Sequence, residues 1–128
     1  MSAHRVLIIE DERAFADVVG ELLIEEGYAV VRTRDALSAV SMLASERLSP
    51  DLIVCDVMLP GLRGDRLAAE VRRRFPSRRL PILLLSASAD PRVSLRDVLF
   101  MSKPLDIKSF LKTVKRLVEP RKSGAVAI

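Results

Sequence analysis

Hydrophobic positions along the chain follow two alternating spacings. Short runs rich in Val, Ile and Leu stand at Arg5–Ile9, residues 29–32, Leu52–Asp56, Ile82–Ser86 and Val98–Ser102, and between them the apolar residues recur at helical intervals. An unbroken apolar run suits a strand covered on both faces, and its alternation with helical segments predicts βαβ units around a parallel sheet. The first, third and fourth runs are the most uniformly apolar and belong in the middle of that sheet. The second and fifth are shorter or more mixed and suit its edges.

The intervening stripes are Phe15, Val18, Val19, Leu22 and Leu23, then Ala36, Ala39, Val40 and Leu43. A third helix over 65–75 carries Ala68, Val71 and Phe75, and a last one over 107–118 carries Ile107, Phe110, Leu111, Val114, Leu117 and Val118. All of these are expected to pack inward. Gly27 stands where the first helix would end in left-handed backbone, and Asp35 and Asp106 are placed to cap the starts of the second and last helices.

Composition narrows the class. The 128 residues, 49% apolar and 30% charged, make one soluble domain, expected over residues 1–119 with a frayed tail at 120–128. No apolar stretch approaches the roughly 20 residues that cross a bilayer, and the first residues carry no signal-peptide pattern, so a cytoplasmic protein without a membrane contact is expected. The single Cys55 lies inside an apolar run, which offers neither a disulfide framework nor a zinc cluster.

The 21 Lys and Arg against 17 Asp and Glu leave a net charge of +4. Arg72, Arg73, Arg74, Arg78 and Arg79 cluster near one helix end, but with one Tyr, four Phe and no base-reading motif the cluster reads as a solvated face. No nucleic acid is expected, and an acidic protein surface is the other partner such a face could take.

In a parallel sheet the carboxyl ends of the strands meet along one edge, where such folds bind ligands. Here those ends carry Glu10 and Asp11, Asp56, Ser86 and Lys103. Three carboxylates at one edge repel unless a hard cation holds them, and Mg²⁺ prefers carboxylates, waters and phosphate oxygens. With a phosphoryl group present, Lys103 can pair with one oxygen, Ser86 can donate to another, and Asp56 can act as the nucleophile that becomes an aspartyl phosphate. Each residue also has a plain structural use: Asp11 and Glu12 at a helix start, Ser86 at a strand end, Lys103 in solvent. Asp56 is the exception, because a buried strand would continue there with another apolar residue.

These residues and their spacing closely resemble the receiver domains of bacterial two-component response regulators, with the match running from about Arg5 to Val118. Glu10-Asp11 corresponds to the family's acidic pair, Asp56 through Gly64 to its phosphoacceptor loop, Ser86-Ala87 to its Ser/Thr-Ala pair and Lys103-Pro104 to its Lys-Pro. The resemblance implies an α/β fold, a doubly wound five-stranded parallel sheet of flavodoxin-like order 2-1-3-4-5 with right-handed crossovers, and a cis Lys103–Pro104 bond aiming the lysine into the pocket. It implies a stand-alone phosphoacceptor in a phosphorelay, with a histidine kinase or phosphotransfer protein as donor and a downstream protein as reader. By the same resemblance Asp56 accepts the phosphoryl group, and Asp11, Asp56 and the Met58 carbonyl hold Mg²⁺. Glu10, in place of the commoner Asp, acts through the metal's water shell, while Ser86 and Lys103 contact the phosphoryl oxygens. Met58 and Ser88 occupy the positions that tune dephosphorylation. Ser86 and Phe100 form the switch pair, Phe100 also suiting an ordinary apolar place on the edge strand.

Other functions fit less well. A phosphatase using an aspartyl phosphate wants a second carboxylate where Met58 stands, and a flavodoxin-like electron carrier wants a Gly- or hydroxyl-rich phosphate loop where Glu10-Asp11-Glu12 stand. A receiver-fold interaction module with output independent of phosphorylation is the serious alternative. One departure from the family is the short segment between Ser86 and Lys103. Residues 87–97 come close to the about dozen that a parallel crossover needs, predicting a shortened fourth helix over 91–96, begun by Asp90 and Pro91. The face built from that helix, the fifth strand and the last helix is then altered, so a monomer or an atypical dimer is expected.

Overall fold

The computed structural model describes residues 3–45, 48–87 and 97–119. Its strands are β1 (Arg5–Ile9), β2 (Ala29–Thr33), β3 (Leu52–Asp56), β4 (Ile82–Ser86) and β5 (Val98–Ser102). Its helices, among the described residues, are α1 (Arg13–Glu25), α2 (Ala36–Ala44), α3 (Gly64–Arg74) and α4 (Ile107–Val118). The strands form one parallel sheet in the order β2-β1-β3-β4-β5, as the sequence predicts. The short helix expected over 91–96, together with Ser88 and the tail 120–128, lies outside the described residues.

Burial along the strands follows their place in the sheet. β3 and β4 are buried at every residue, whereas β2 and β5 at the edges are only partly covered. Side chains that alternate along each strand feed two separate cores. Leu7, Ile9, Ile53 and Cys55 pack with Ala39 and Leu43 of α2 and Leu67 and Val71 of α3. On the other face Val6, Ile8, Leu52 and Val54 pack with Val19 and Leu23 of α1 and Phe110 and Val114 of α4.

Two stripe positions are corrected by this packing. Val18 is 54% exposed and Ile107 is 51% exposed. Each lies at the margin of its helix's apolar arc: α1 turns Ala16, Val19, Gly20 and Leu23 inward, and α4 turns Phe110, Val114 and Val118 inward. The small residues Ala16 and Gly20, which the stripe of larger side chains does not include, lie on the buried face of α1.

The helix ends mostly follow their predicted chemistry. The Asp35 carboxylate accepts from the Ser38 N–H at 2.7 Å, and Gly27, one residue past the α1 cap Glu26, has φ +94°. Asp106 precedes α4 but makes no side-chain bond to its backbone. Its Oδ2 accepts instead from the Ser109 hydroxyl at 3.1 Å, which occupies the carboxylate that a cap would use. The basic cluster is substantially engaged within the fold: Arg73 and Arg74 pair with Glu70, Arg72 donates to the Asp97 carbonyl, and Arg78 lies over the Phe75 ring.

Candidate functional site: an acidic edge with one lysine

Four strand ends build the site. Glu10 and Asp11 leave β1, Asp56 ends β3, and Lys103 follows β5, while Ser86 closes β4. The Lys103 N–H donates to the Ser86 carbonyl at 2.8 Å, so the lysine is tied to the neighbouring strand end through its backbone. The Lys103–Pro104 bond is cis, as expected. Ser86 and Asp56 are both buried, on adjacent strands whose register sets Asp56 opposite Leu85.

The carboxylates converge. Oxygens of Glu10, Asp11 and Asp56 lie within 4.8 Å of one another. The Lys103 ammonium sits 3.4 Å from Glu10 Oε1 and 3.5 Å from Asp56 Oδ2, and 4.2 Å from the centroid of the Phe15 ring. Glu10 Oε2 accepts from the Glu12 N–H at 3.1 Å, and Asp56 Oδ1 accepts from the Met58 N–H at 3.2 Å. Burial pushes the Glu10 carboxyl above its ordinary range, aided by the charge of Asp56 and opposed by the Glu12 N–H and Lys103.

Ser86 ends β4 and Glu12 starts α1, as their plain structural uses have it. Glu12 is the α1 N-cap but makes no side-chain capping bond, and α1 has no acidic residue in its first turn. Lys103 has about a fifth of its side chain exposed and faces carboxylates. Hard oxygen donors on three carboxylates fit Mg²⁺ and match no soft-metal site.

Phe100 is partly buried against the α2–α3 core. Met58 is 62% exposed. Three further residues join the site without having been singled out. Phe15, read as a packing residue, carries the lysine on its ring face. Arg63 reaches Asp65 at 3.1 Å and the Met58 sulfur at 3.7 Å, and Asp65 is itself buried. The opposite charges two positions apart at a helix start were the available signal for that pair. Phe15 gave none, since an aromatic in an apolar stripe looks the same whatever lies beyond the ring.

A family model for the response regulator receiver domain matches residues 6–115. The chain belongs to the response regulator receiver domain family. It is 29% identical over 123 residues to the uncharacterized transcriptional regulatory protein YbdJ of Bacillus subtilis, an alignment covering 93% of this chain and 52% of YbdJ. The receiver thus spans about half the length of that relative. Among solved structures it is similar to the receiver domain of a Syntrophus aciditrophicus signal transduction histidine kinase, with 31% identity, a TM-score of 0.81, and coverage of 91% of this chain and 90% of that one. It is also similar to the receiver domain of the Pseudomonas aeruginosa sensor histidine kinase PA1611, with 26% identity, a TM-score of 0.78, and coverage of 91% and 98%. That structure has a magnesium ion coordinated in its active site cleft. Both neighbours are receiver domains of histidine kinases, and no described helix of this chain is long and apolar enough to cross a membrane.

Proposed function

We propose that this receiver is a phosphoacceptor in a two-component relay, with Asp56 as the residue phosphorylated. The observation that carries the reading is the meeting of three carboxylates within 4.8 Å with one ammonium 3.5 Å from Asp56. Asp11, Asp56 and the Met58 carbonyl would hold Mg²⁺, with Glu10 acting through its water shell. When bound, Mg²⁺ neutralises charge on the phosphoryl oxygens.

The chain's own residues do the rest. A carboxylate oxygen of Asp56 attacks the phosphorus of a phosphohistidine on a kinase or phosphotransfer protein; the phosphorus–nitrogen bond breaks, and the imidazole leaves with the electron pair. The product is an acyl phosphate carrying roughly −2 charge at the end of β3, beside Glu10 and Asp11 from the neighbouring β1. Lys103 pairs with a phosphoryl oxygen and Ser86 donates to another, and the shift of Ser86 draws Phe100 inward, changing the surface that a downstream protein reads.

The test is intact mass after incubation with Mg²⁺ and acetyl phosphate. One phosphoryl group is expected on the wild-type chain and none on Asp56→Asn. Lys103→Ala should still accept phosphate, slowly, without the change in partner affinity. No gain in the wild-type chain would leave a receiver fold acting as an interaction module, independent of phosphorylation.

A further inference from the structure

We infer that Phe15 is a positioning residue for Lys103, its ring face holding the ammonium at the acceptor edge. The inference rests on the phosphoacceptor reading and adds to it a residue that the acidic edge does not contain.

A lysine side chain is long and rotatable, so a point charge at its tip is useful only if something fixes the tip. Here the polar contacts do this weakly. The separations of 3.4 Å to Glu10 and 3.5 Å to Asp56 exceed the roughly 2.7–2.9 Å of strong charge-assisted hydrogen bonds. The ring centroid, at 4.2 Å, is well inside the about 6 Å range over which a cation is drawn to an aromatic face. Lys103 is 22% exposed at its side chain, which limits competition from water for that attraction.

The ring is anchored in the fold. Phe15 is partly buried and packs on the α1–α4 core, beside Ala16, which is 3% exposed. It is also the partner that the chemistry leaves unchanged. With an acyl phosphate donor, an Asp56 oxygen bonds to phosphorus, the donor's phosphorus–oxygen bond breaks, and the donor carboxylate leaves with the electron pair. Asp56 thereby exchanges its carboxylate charge for a phosphoryl group, and Glu10 faces any bound cation. The Phe15 ring presents the same face throughout, so Lys103 can turn between carboxylate and phosphoryl oxygens about a fixed support.

Two measurements separate this from plain packing. In the metal-free protein, the Lys103 ε-methylene proton resonances should be shifted upfield by the ring, retained in Phe15→Tyr and lost in Phe15→Leu. With Mg²⁺ and acetyl phosphate, Phe15→Leu should gain mass more slowly by roughly two- to thirtyfold, the span of cation–π strengths, while Phe15→Tyr stays near the wild-type rate. Leucine restores apolar volume without a π face, so a residue that only packs would be satisfied by it. Equal rates for wild type and Phe15→Leu, a Phe15→Tyr variant as slow as Phe15→Leu, or unshifted Lys103 resonances in the wild type would each overturn the inference. A wild-type chain with shifted resonances that gains no mass overturns the phosphoacceptor reading itself, and Phe15 then has no reaction to serve.

Discussion

Gly64 is seated directly on the backbone of Asp56: a methyl group there would overlap the Asp56 carbonyl oxygen and lie 2.9 Å from Val57 Cα. Both obstacles are main chain, and the Gly64 N–H donates to the Val57 carbonyl at 2.8 Å, so the start of α3 is clamped to the end of β3. Gly64→Ala must therefore push α3 away from the loop that carries Met58. Overpacking of this kind costs about 1–3 kcal/mol, to be read as a lower midpoint in urea denaturation. Phosphoryl uptake should fall with it, because the Met58 N–H reaches Asp56 Oδ1 from the displaced loop. An unchanged midpoint would mean that the loop has room the structure does not show.

Gly20 presents the opposite case. It is buried in the middle of α1, yet a methyl group there would meet only Arg32 Cδ and Ile8 Cδ1, both at 3.9 Å, an ordinary contact distance. Glycine inside a helix costs roughly 0.5–1 kcal/mol against alanine through backbone entropy. Gly20→Ala is expected to stabilise the domain by about that amount, with uptake at Asp56 unchanged. A lower thermal midpoint would show that α1 sits closer to β1 than these distances indicate.

The contrast between these glycines marks what the sequence could and could not tell. Strands were legible because buried parallel strands are continuous apolar runs, and β1, β3, β4 and β5 stand where the runs stand. Glu10, Asp11, Asp56, Ser86 and Lys103 were legible because topology alone brings strand ends together. Which face of α1 turns inward was less so, since the small Ala16 and Gly20 are buried there while the larger Val18 remains exposed. Contacts between side chains, such as Lys103 on Phe15 or Arg63 on Met58, depend on rotamers that no spacing records.

The thiol of Cys55 should be inert in the native state. It is 1% exposed, and burial pushes its ionisation well up, with the charges of Asp56, Glu10 and Asp65 adding to the shift. Since the thiolate is the reactive form, a thiol-labelling reagent at neutral pH should modify the folded protein only through opening of the β3 core. Labelling should therefore accelerate with urea in step with unfolding. Fast modification in native buffer would contradict the packing of Cys55 among Ile9, Leu84 and Val57.

Glu70 on α3 sets an acid limit of a different kind. Hydrogen bonds from Arg73 and Arg74, at 2.7 and 2.9 Å, hold its carboxyl down from the ordinary 4.5 to about 2. A carboxyl whose folded pKa lies below its unfolded one stabilises the fold fully above the unfolded value, and that contribution is lost as pH falls from about 4.5 toward 2. The pair lies at the surface, where water and salt screen it, so the effect on overall stability should be small while the effect on the group itself is plain. The Glu70 carboxyl carbon, followed by NMR, should titrate well below 4.5, and should move back toward that value in Arg73→Gln, in Arg74→Gln and in high salt. A wild-type midpoint already near 4.5 would mean that neither arginine holds Glu70 in solution.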